Sequence, residues 1–400
     1  MASIPQGQRP ELLGRVETGK DAVTGVFAIA NEEAVISTSE DKTVKVWVKR
    51  DNGQYWPSII QSFEASCSAL EYGPDSDGHF AFIGLSNGQI HEFHLSTDLN
   101  RFEKKRVYQS HSSRVTSIKV VPKHNWILSA GRDKRFQWSC TRTGRDLGSH
   151  DALAWCLAVE YDETSKYGFV ADYSGVITVL RLTESGFASV TTLKGHTSSV
   201  WALAYDSERR ILFSGGFDQT IVVWDIGSQK GTAYELTGHN GKIRSLAYST
   251  ITRKLISTSE DGMLGVWDMD AEREETTEWG GSNVCEKCNV PFFWNVKGMW
   301  DNKTIGVRQH HCRKCGRAIC ASCSDQLSTY PRMGFEKPVR MCQDCHSSLT
   351  TDDRSPMASF INMKSIVTSL HLVHTLGHMV TASEDKQIKI WDVNPMMMNH

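Results

Sequence analysis

No apolar run in the 400-residue sequence approaches the roughly 20 residues of a membrane span. The expectation is a chain that meets a membrane only peripherally, if at all. Charge of one sign is lacking too: 44 Lys and Arg stand against 46 Asp and Glu, a net charge of −2. Nothing global therefore draws the chain to nucleic acid. Met1 to Pro10 is polar and has no apolar core, so no secretory leader is expected and the thiols are read as reduced. A phosphate-binding glycine loop, a nucleophile elbow and a sustained heptad are all missing, so neither an enzyme nor a coiled coil is expected. The length exceeds one ordinary core.

What is present is concentrated chemistry between Cys285 and Cys345. Eight of the eleven cysteines fall there as four Cys-x-x-Cys pairs: Cys285/Cys288, Cys312/Cys315, Cys320/Cys323 and Cys342/Cys345. Cys67, Cys140 and Cys156 are scattered. Two soft ligands two residues apart grip a tetrahedral ion from one turn, and eight thiolates fill two closed zinc sites. The alternative, a disulfide framework, needs an oxidising compartment. Only four residues separate the second pair from the third, a link suited to a small hairpin. The expected wiring is therefore interleaved: Cys285/Cys288/Cys320/Cys323 on one zinc and Cys312/Cys315/Cys342/Cys345 on the other. Closed sites are structural rather than catalytic.

A basic run crosses the same stretch. Arg308, His310, His311, Arg313, Lys314 and Arg317 lie within ten residues, and Arg340 precedes the fourth pair. Cationic side chains on a rigid frame make a phosphate receptor; the plainer alternative is a solvated basic face. Immediately upstream, Lys303-Thr304-Ile305-Gly306-Val307 sets apolar tips beside charge, as in loops that enter a bilayer interface.

Arg-x-His-His-Cys-Arg-x-Cys-Gly between paired cysteines resembles the FYVE zinc finger, over roughly residues 279–350. The resemblance implies two interleaved zincs and recognition of phosphatidylinositol 3-phosphate on endosomal membranes. By position it implies a headgroup pocket of Arg308, His310, His311, Arg313 and Arg340, and membrane insertion of Ile305 and Val307. The chain departs from the family at Gln309, where a second Arg is usual, at Ser282, where an acid usually follows Trp279, and at Met341, usually Val. Phe292, Phe293, Trp294, Met299 and Trp300 lie between the first two pairs. They suit either a mini-core against a neighbouring domain or a second membrane wedge.

Outside the finger the chain repeats. Units end at Trp47, Phe93, Trp138, Leu180, Trp224, Trp267 and Trp391. The first six are spaced by 42 to 46 residues; the last step is 124. A period in the low forties with Gly-His and Trp-Asp resembles the WD-repeat β-propeller, so the fold class expected is mainly β, with seven blades. His196, Ser214, Asp218 and Trp224 read as a buried hydrogen-bonded set, repeated by His239, Ser257, Asp261 and Trp267. The same set recurs from repeat to repeat, so it is structural and not a catalytic triad.

The long last step holds the finger, which is therefore inserted between blades six and seven. Residues 1–269 are expected to form blades one to six, 279–350 the finger, and 357–400 the seventh repeat. Asp270–Glu275 and Thr350–Pro356 read as linkers. Few residues follow Asp392, so a strand around Leu12, Leu13 and Val16 is expected to complete the last blade and remove an open edge.

A propeller interrupted in this way resembles the WD repeat and FYVE domain-containing family over nearly the whole chain. That resemblance implies an early-endosomal adaptor, cytosolic until recruited. It implies phosphatidylinositol 3-phosphate as the lipid partner, and protein partners on the propeller, signalling kinases and their substrates first among them. Two other readings are weighed. A RING-type ubiquitin ligase has no use for the Arg-x-His-His-Cys-Arg run. A nucleic-acid module would need aromatics interleaved for base stacking.

Overall fold

The computed structural model describes residues 9–397 except 20, 30–32, 76–77, 228–232 and 275–278. Residues 1–8 and 398–400 of the outer ranges, and Glu275 of the first linker, lie outside the described residues.

Short strands of alternating or wholly apolar residues, cut by tight turns, can bury themselves only by stacking. They do so as seven sheets of four antiparallel strands around one axis. In the first, Val23–Ile29, Ala34–Ser39, Thr43–Lys49 and Tyr55–Ser62 run from axis to rim. The second strand is buried at every position, whereas the fourth, at the rim, is mostly exposed. The core is divided among the wedges between blades. Between the third and fourth, Phe136 and Trp138 pack against Val159, Val170, Leu180 and Leu182.

The ring is closed by both ends of the chain. Val367–Val373, His378–Ser383 and Gln387–Asp392 form three strands of the last sheet, and Glu11–Glu17 supplies the fourth. Its register runs from Glu11 opposite Asp392 to Glu17 opposite Gln387. Val16 is buried against Val380 and Ile388, while Leu12 and Leu13 are about half exposed.

The finger leaves from inside the sixth sheet. That sheet is ordered Ile243–Ser249, Lys254–Ser259, Met263–Asp268, Ala358–Asn362, so its rim strand comes from beyond the finger. Each sequence repeat ends at the third strand of a sheet, one strand before the sheet itself ends. An insertion between the sixth and seventh repeats is thus flanked by neighbouring strands, and the Asp268 N–H donates to the Met357 carbonyl at 3.0 Å.

The finger is also bonded to the propeller. Its hairpin, Gln326–Tyr330 with Phe335–Met341, extends the fifth sheet from the rim strand Ala233–Thr237 to make six strands. Thr237 N–H donates to Gly334 O at 2.8 Å, and Tyr330 OH to Glu274 at 2.7 Å. Gly334 has φ +85°, and a Cβ there would fall 1.9 Å from Glu235 O, so only glycine fits. The returning flank is held as well: Asp353 is buried and accepts from Thr350 N–H at 2.9 Å.

Glu336 sits in this junction, buried, and accepts from Met357 N–H at 2.8 Å. Burial pushes its carboxyl up to about 7 from 4.5, against the opposing pull of that N–H and of Arg273. A raised acid pKa favours the protonated folded state. The site's contribution is therefore fully present below about pH 4.5 and is lost as pH rises towards 7. Glu336→Gln is expected to raise the melting temperature by ~2–4 °C at about pH 8 and to change little near pH 5. Equal shifts at both pH values in a thermal melt would show that ionisation of Glu336 is not the cause.

Candidate functional site

Each Cys-x-x-Cys pair turns sharply enough to aim both sulfurs one way. The second pair sits in the turn of a hairpin, His310–His311 against Ala318–Ile319, whose second strand runs into the third pair. The hairpin carries Cys312/Cys315 to one side and Cys320/Cys323 to the other. Two clusters result, Cys285/Cys288/Cys320/Cys323 and Cys312/Cys315/Cys342/Cys345, with the sulfurs of each within 4.8 Å of one another. Cys288 and Cys320 sulfurs are 3.7 Å apart, Cys315 and Cys342 3.9 Å. Those separations are nearly twice an S–S bond. They match the edge of a tetrahedron with metal–sulfur bonds of ~2.3 Å, about 3.8 Å.

The donors suit a cation chemically too. Burial opposes ionisation of Cys285, but N–H groups of Cys288, Cys320 and Lys287 outweigh it and bring the thiol down to about 7. Burial and the neighbouring thiols push Cys323 and Cys345 up. That mutual repulsion is what a divalent ion removes. Two groups of four cysteines in the interleaved arrangement fit two zinc ions.

The FYVE zinc finger family matches residues 278–351. The WD domain, G-beta repeat family matches 12–48, 102–137, 187–225, 230–268 and 354–392. The degenerate repeats ending at Phe93 and Leu180 fall between those matches, and their sheets are nonetheless complete. Human WD repeat and FYVE domain-containing protein 1 is 49% identical over 395 residues, 99% of this chain and 96% of the relative. Human WD repeat and FYVE domain-containing protein 2 is 48% identical, covering 98% of each. This chain belongs to the WD repeat and FYVE domain-containing family. The family extends to a Caenorhabditis elegans relative, WD repeat and FYVE domain-containing protein 2, at 37% identity over 97% of this chain and 93% of that one. The WD40 beta propeller domain of Doa1 shares the fold, with TM-score 0.63 at 14% identity over 96% of each chain.

In this member of the family the basic residues divide. His310 is half-buried, and burial together with the charges of Arg340, Arg308 and His311 holds its pKa below the ordinary value. Those cations therefore share one field. Arg308 is exposed and forms no hydrogen bond or ion pair among the described residues. Arg313 N–H donates to Arg340 O at 3.0 Å, joining the two motifs. Arg340 itself donates to Ser324 O at 2.7 Å. Arg317 lies elsewhere, 3.7 Å from Asp344, and Lys314 lies over the Tyr330 ring at 4.9 Å.

Trp279 contributes more than its imperfect motif suggests. Its ring stacks on His311 at 4.7 Å and carries the Arg313 guanidinium, also at 4.7 Å. His311 Nε2 lies 3.2 Å from Gly280 O, and Gln309 reaches towards Ser282 O. His311 is thereby committed to the upstream segment. Glu235, on the propeller rim, feels the charge of Arg313, which opposes the burial that raises its pKa. Sequence reasoning missed that neighbour, because nothing local links the two positions.

The sequence pattern sets Ile305 and Val307 together at an apolar tip; the structure separates them. Val307 is half-buried, packs on the zinc core and pairs with Phe292 in a short parallel bridge. Ile305 is 88% exposed. The bridge closes a protrusion, residues 293–306, that contains the helix Val296–Asn302. Gly306 packs on the Met299 sulfur inside it, while Trp300 is 84% and Val296 68% exposed. Of the aromatics here, Phe292 alone enters the core; Phe293 and Trp294 are exposed.

The two expected polar sets on the propeller form. His196 bonds Asp218 at 3.0 Å and Ser214 at 2.7 Å, and Trp224 donates to Ser214 at 2.8 Å. His239, Asp261, Ser257 and Trp267 repeat the arrangement. A third, His111 with Asp133 and Ser129, escaped notice because Ser110 replaces the usual glycine. The shared spacing of 22 residues from His to Asp would have revealed it.

Proposed function

We propose that this protein is an adaptor of the early endosome that reads phosphatidylinositol 3-phosphate with its finger and holds proteins on its propeller. The observation that carries the lipid reading is the gathering of Arg308, His310, Arg313 and Arg340 beside an exposed apolar protrusion. Cations close enough that Arg340 and Arg308 help hold His310 below its ordinary pKa suit a dianionic phosphate. Arg308 and Arg340 grip the 3-phosphate; His310 becomes a second donor once a phosphate offsets its cationic neighbours. Trp279 holds Arg313 and His311 in position. Ile305, Trp300 and Val296 enter the interface together, with Val307 as the root of the loop rather than its tip. A larger wedge answers the weakness of a single small one. Kinases and their substrates are the proposed protein partners.

Flotation of the zinc-loaded chain with liposomes tests this. One set carries phosphatidylinositol 3-phosphate, the others its 4- or 5-phosphate isomers or phosphatidylserine alone. Binding is expected only to the 3-phosphate, and Arg308→Ala should weaken it roughly 10-fold or more, the value of a charged hydrogen bond. Trp300→Ala should weaken liposome binding about tenfold by lost apolar burial, yet leave binding of the soluble headgroup unchanged. Equal binding to all liposomes would overturn the 3-phosphate reading, and no binding by the folded protein would make the finger a structural insert of the propeller.

A further inference from the structure

The second residue of each inner strand faces the next blade. In four blades it is a hydroxyl that donates across the gap. Thr24 bonds Cys67 O at 2.8 Å, Ser68 bonds Val115 O at 2.7 Å, Thr116 bonds Cys156 O at 2.7 Å and Thr368 bonds Val23 O at 2.8 Å. Blades four, five and six break this belt with Leu157, Trp201 and Arg244. Holding the ring together does not account for that change.

An overlapping sector departs at a second ring of positions. The residue after each second strand donates its N–H to the carbonyl just before the inner strand, for example Arg132 to Arg114 and Tyr173 to Trp155, both at 2.9 Å. These turns and strand starts therefore lie side by side on one face. Blades one, two, six and seven place Glu40, Ser86, Glu260 and Glu384 there; blades three, four and five place Arg132, Tyr173 and Phe217.

The outcome is an aromatic and basic arc. Trp155 and Tyr173 rings are 5.2 Å apart, Trp201 and Phe217 5.1 Å. Leu153, two residues before Trp155, is 93% exposed, and Tyr173 53%. The neighbouring arginines are neutralised, Arg114 by Glu40 and Arg244 by Glu260. Arg132 is different. Its guanidinium lies over Trp155 at 5.2 Å, forms no hydrogen bond or ion pair among the described residues, and has a buried Nε without a partner.

We infer that this arc, on blades three to five, docks an extended peptide of another protein. The peptide sets an acidic side chain against Arg132 and an apolar one on Trp155 and Tyr173. The open guanidinium decides the first requirement, the exposed rings the second. A lipid surface does not fit, because Arg114 and Arg244 are spent on Glu40 and Glu260 and Glu384 adds an acid, so the face carries little net positive charge to draw anionic headgroups. The inference rests on the adaptor reading and not on the lipid reading.

The test is selection of a random twelve-residue displayed peptide library on the full zinc-loaded chain, without lipid. Enriched peptides are expected to share an acidic residue within a few positions of an aromatic or aliphatic one. Their binding should fall about tenfold or more in Arg132→Glu and in Trp155→Ala, and stay unchanged in Glu384→Gln on the opposite arc. Both arc variants change surface side chains, so their melting temperatures should match the parent; a variant that melts lower is replaced by Arg132→Gln or Trp155→His. No enrichment, peptides without acid, or binding indifferent to both variants would overturn the inference. So would mass growing with concentration and abolished by Trp155→Ala, since the occupant would then be a second copy. Liposome flotation fails or succeeds separately.

Discussion

Stripping zinc from this protein is expected to unfold the finger and leave the propeller standing. The finger's core consists of eleven buried residues, four of them the ligands Cys285, Cys312, Cys320 and Cys342. The rest, such as Phe292, Ile319 and Met341, are too few to hold some 70 residues of irregular chain without metal. Each structural zinc contributes about 10–16 kcal/mol on the scale of isolated finger peptides. The blades have cores of their own that contain no proposed ligand. Hydrogen exchange after chelation should show amides of 280–350 losing protection while the inner strands keep theirs. Liposome binding should disappear with them. Cys320→Ser should reproduce the effect in zinc-replete buffer; Cys140→Ser, far from both clusters, should not. A finger that stays protected once metal analysis shows no zinc would remove the metal from the folding argument.

Deleting residues 1–17 is expected to lower the melting temperature by about 10 °C or more, because several kcal/mol of closure are lost from one cooperative ring. Glu11–Glu17 pairs with Gln387–Asp392 on both sides of a bulge at Leu13. Without it, the last sheet ends on an open edge, and open edges recruit other chains. Val16 also leaves a cluster that includes Trp47, Val380 and Ile390, with about 1.5–3 kcal/mol of burial. The contact joins the two ends of the chain, so it closes the largest loop in the fold. A synthetic peptide of residues 9–18 added in excess should recover part of the loss by mass action. An unchanged melt would mean that the last blade is stable with three strands.

Much of this was legible because it is local. Zinc wiring depends on spacings of two to four residues, so the cysteine pattern already contains it. The seven-fold repeat is legible for a related reason. Every blade needs the same apolar strands and turns, and the copies that drift most, ending at Phe93 and Leu180, still form complete sheets. The insertion followed from the one irregular step in that period.

What the linear chain withheld depends on contacts between distant residues. Sequence repeat and structural blade are offset by one strand, which only strand pairing shows, and so the finger interrupts the sixth sheet. Adjacent Phe292 and Phe293 have the same chemistry and opposite fates; the Phe292–Val307 bridge turns one in and the other out. That bridge also separates Ile305 from Val307. Arg313 acts on Glu235 only because the finger's hairpin joins the fifth sheet, and Arg132 meets Trp155 only because successive sheets pack side by side. By itself the sequence determined the repeat, the metal ligands and the cationic run, since period and spacing are properties of neighbours along the chain. Exposure and charge pairing were decided by the tertiary structure, because burial is set by whatever packs across the gap.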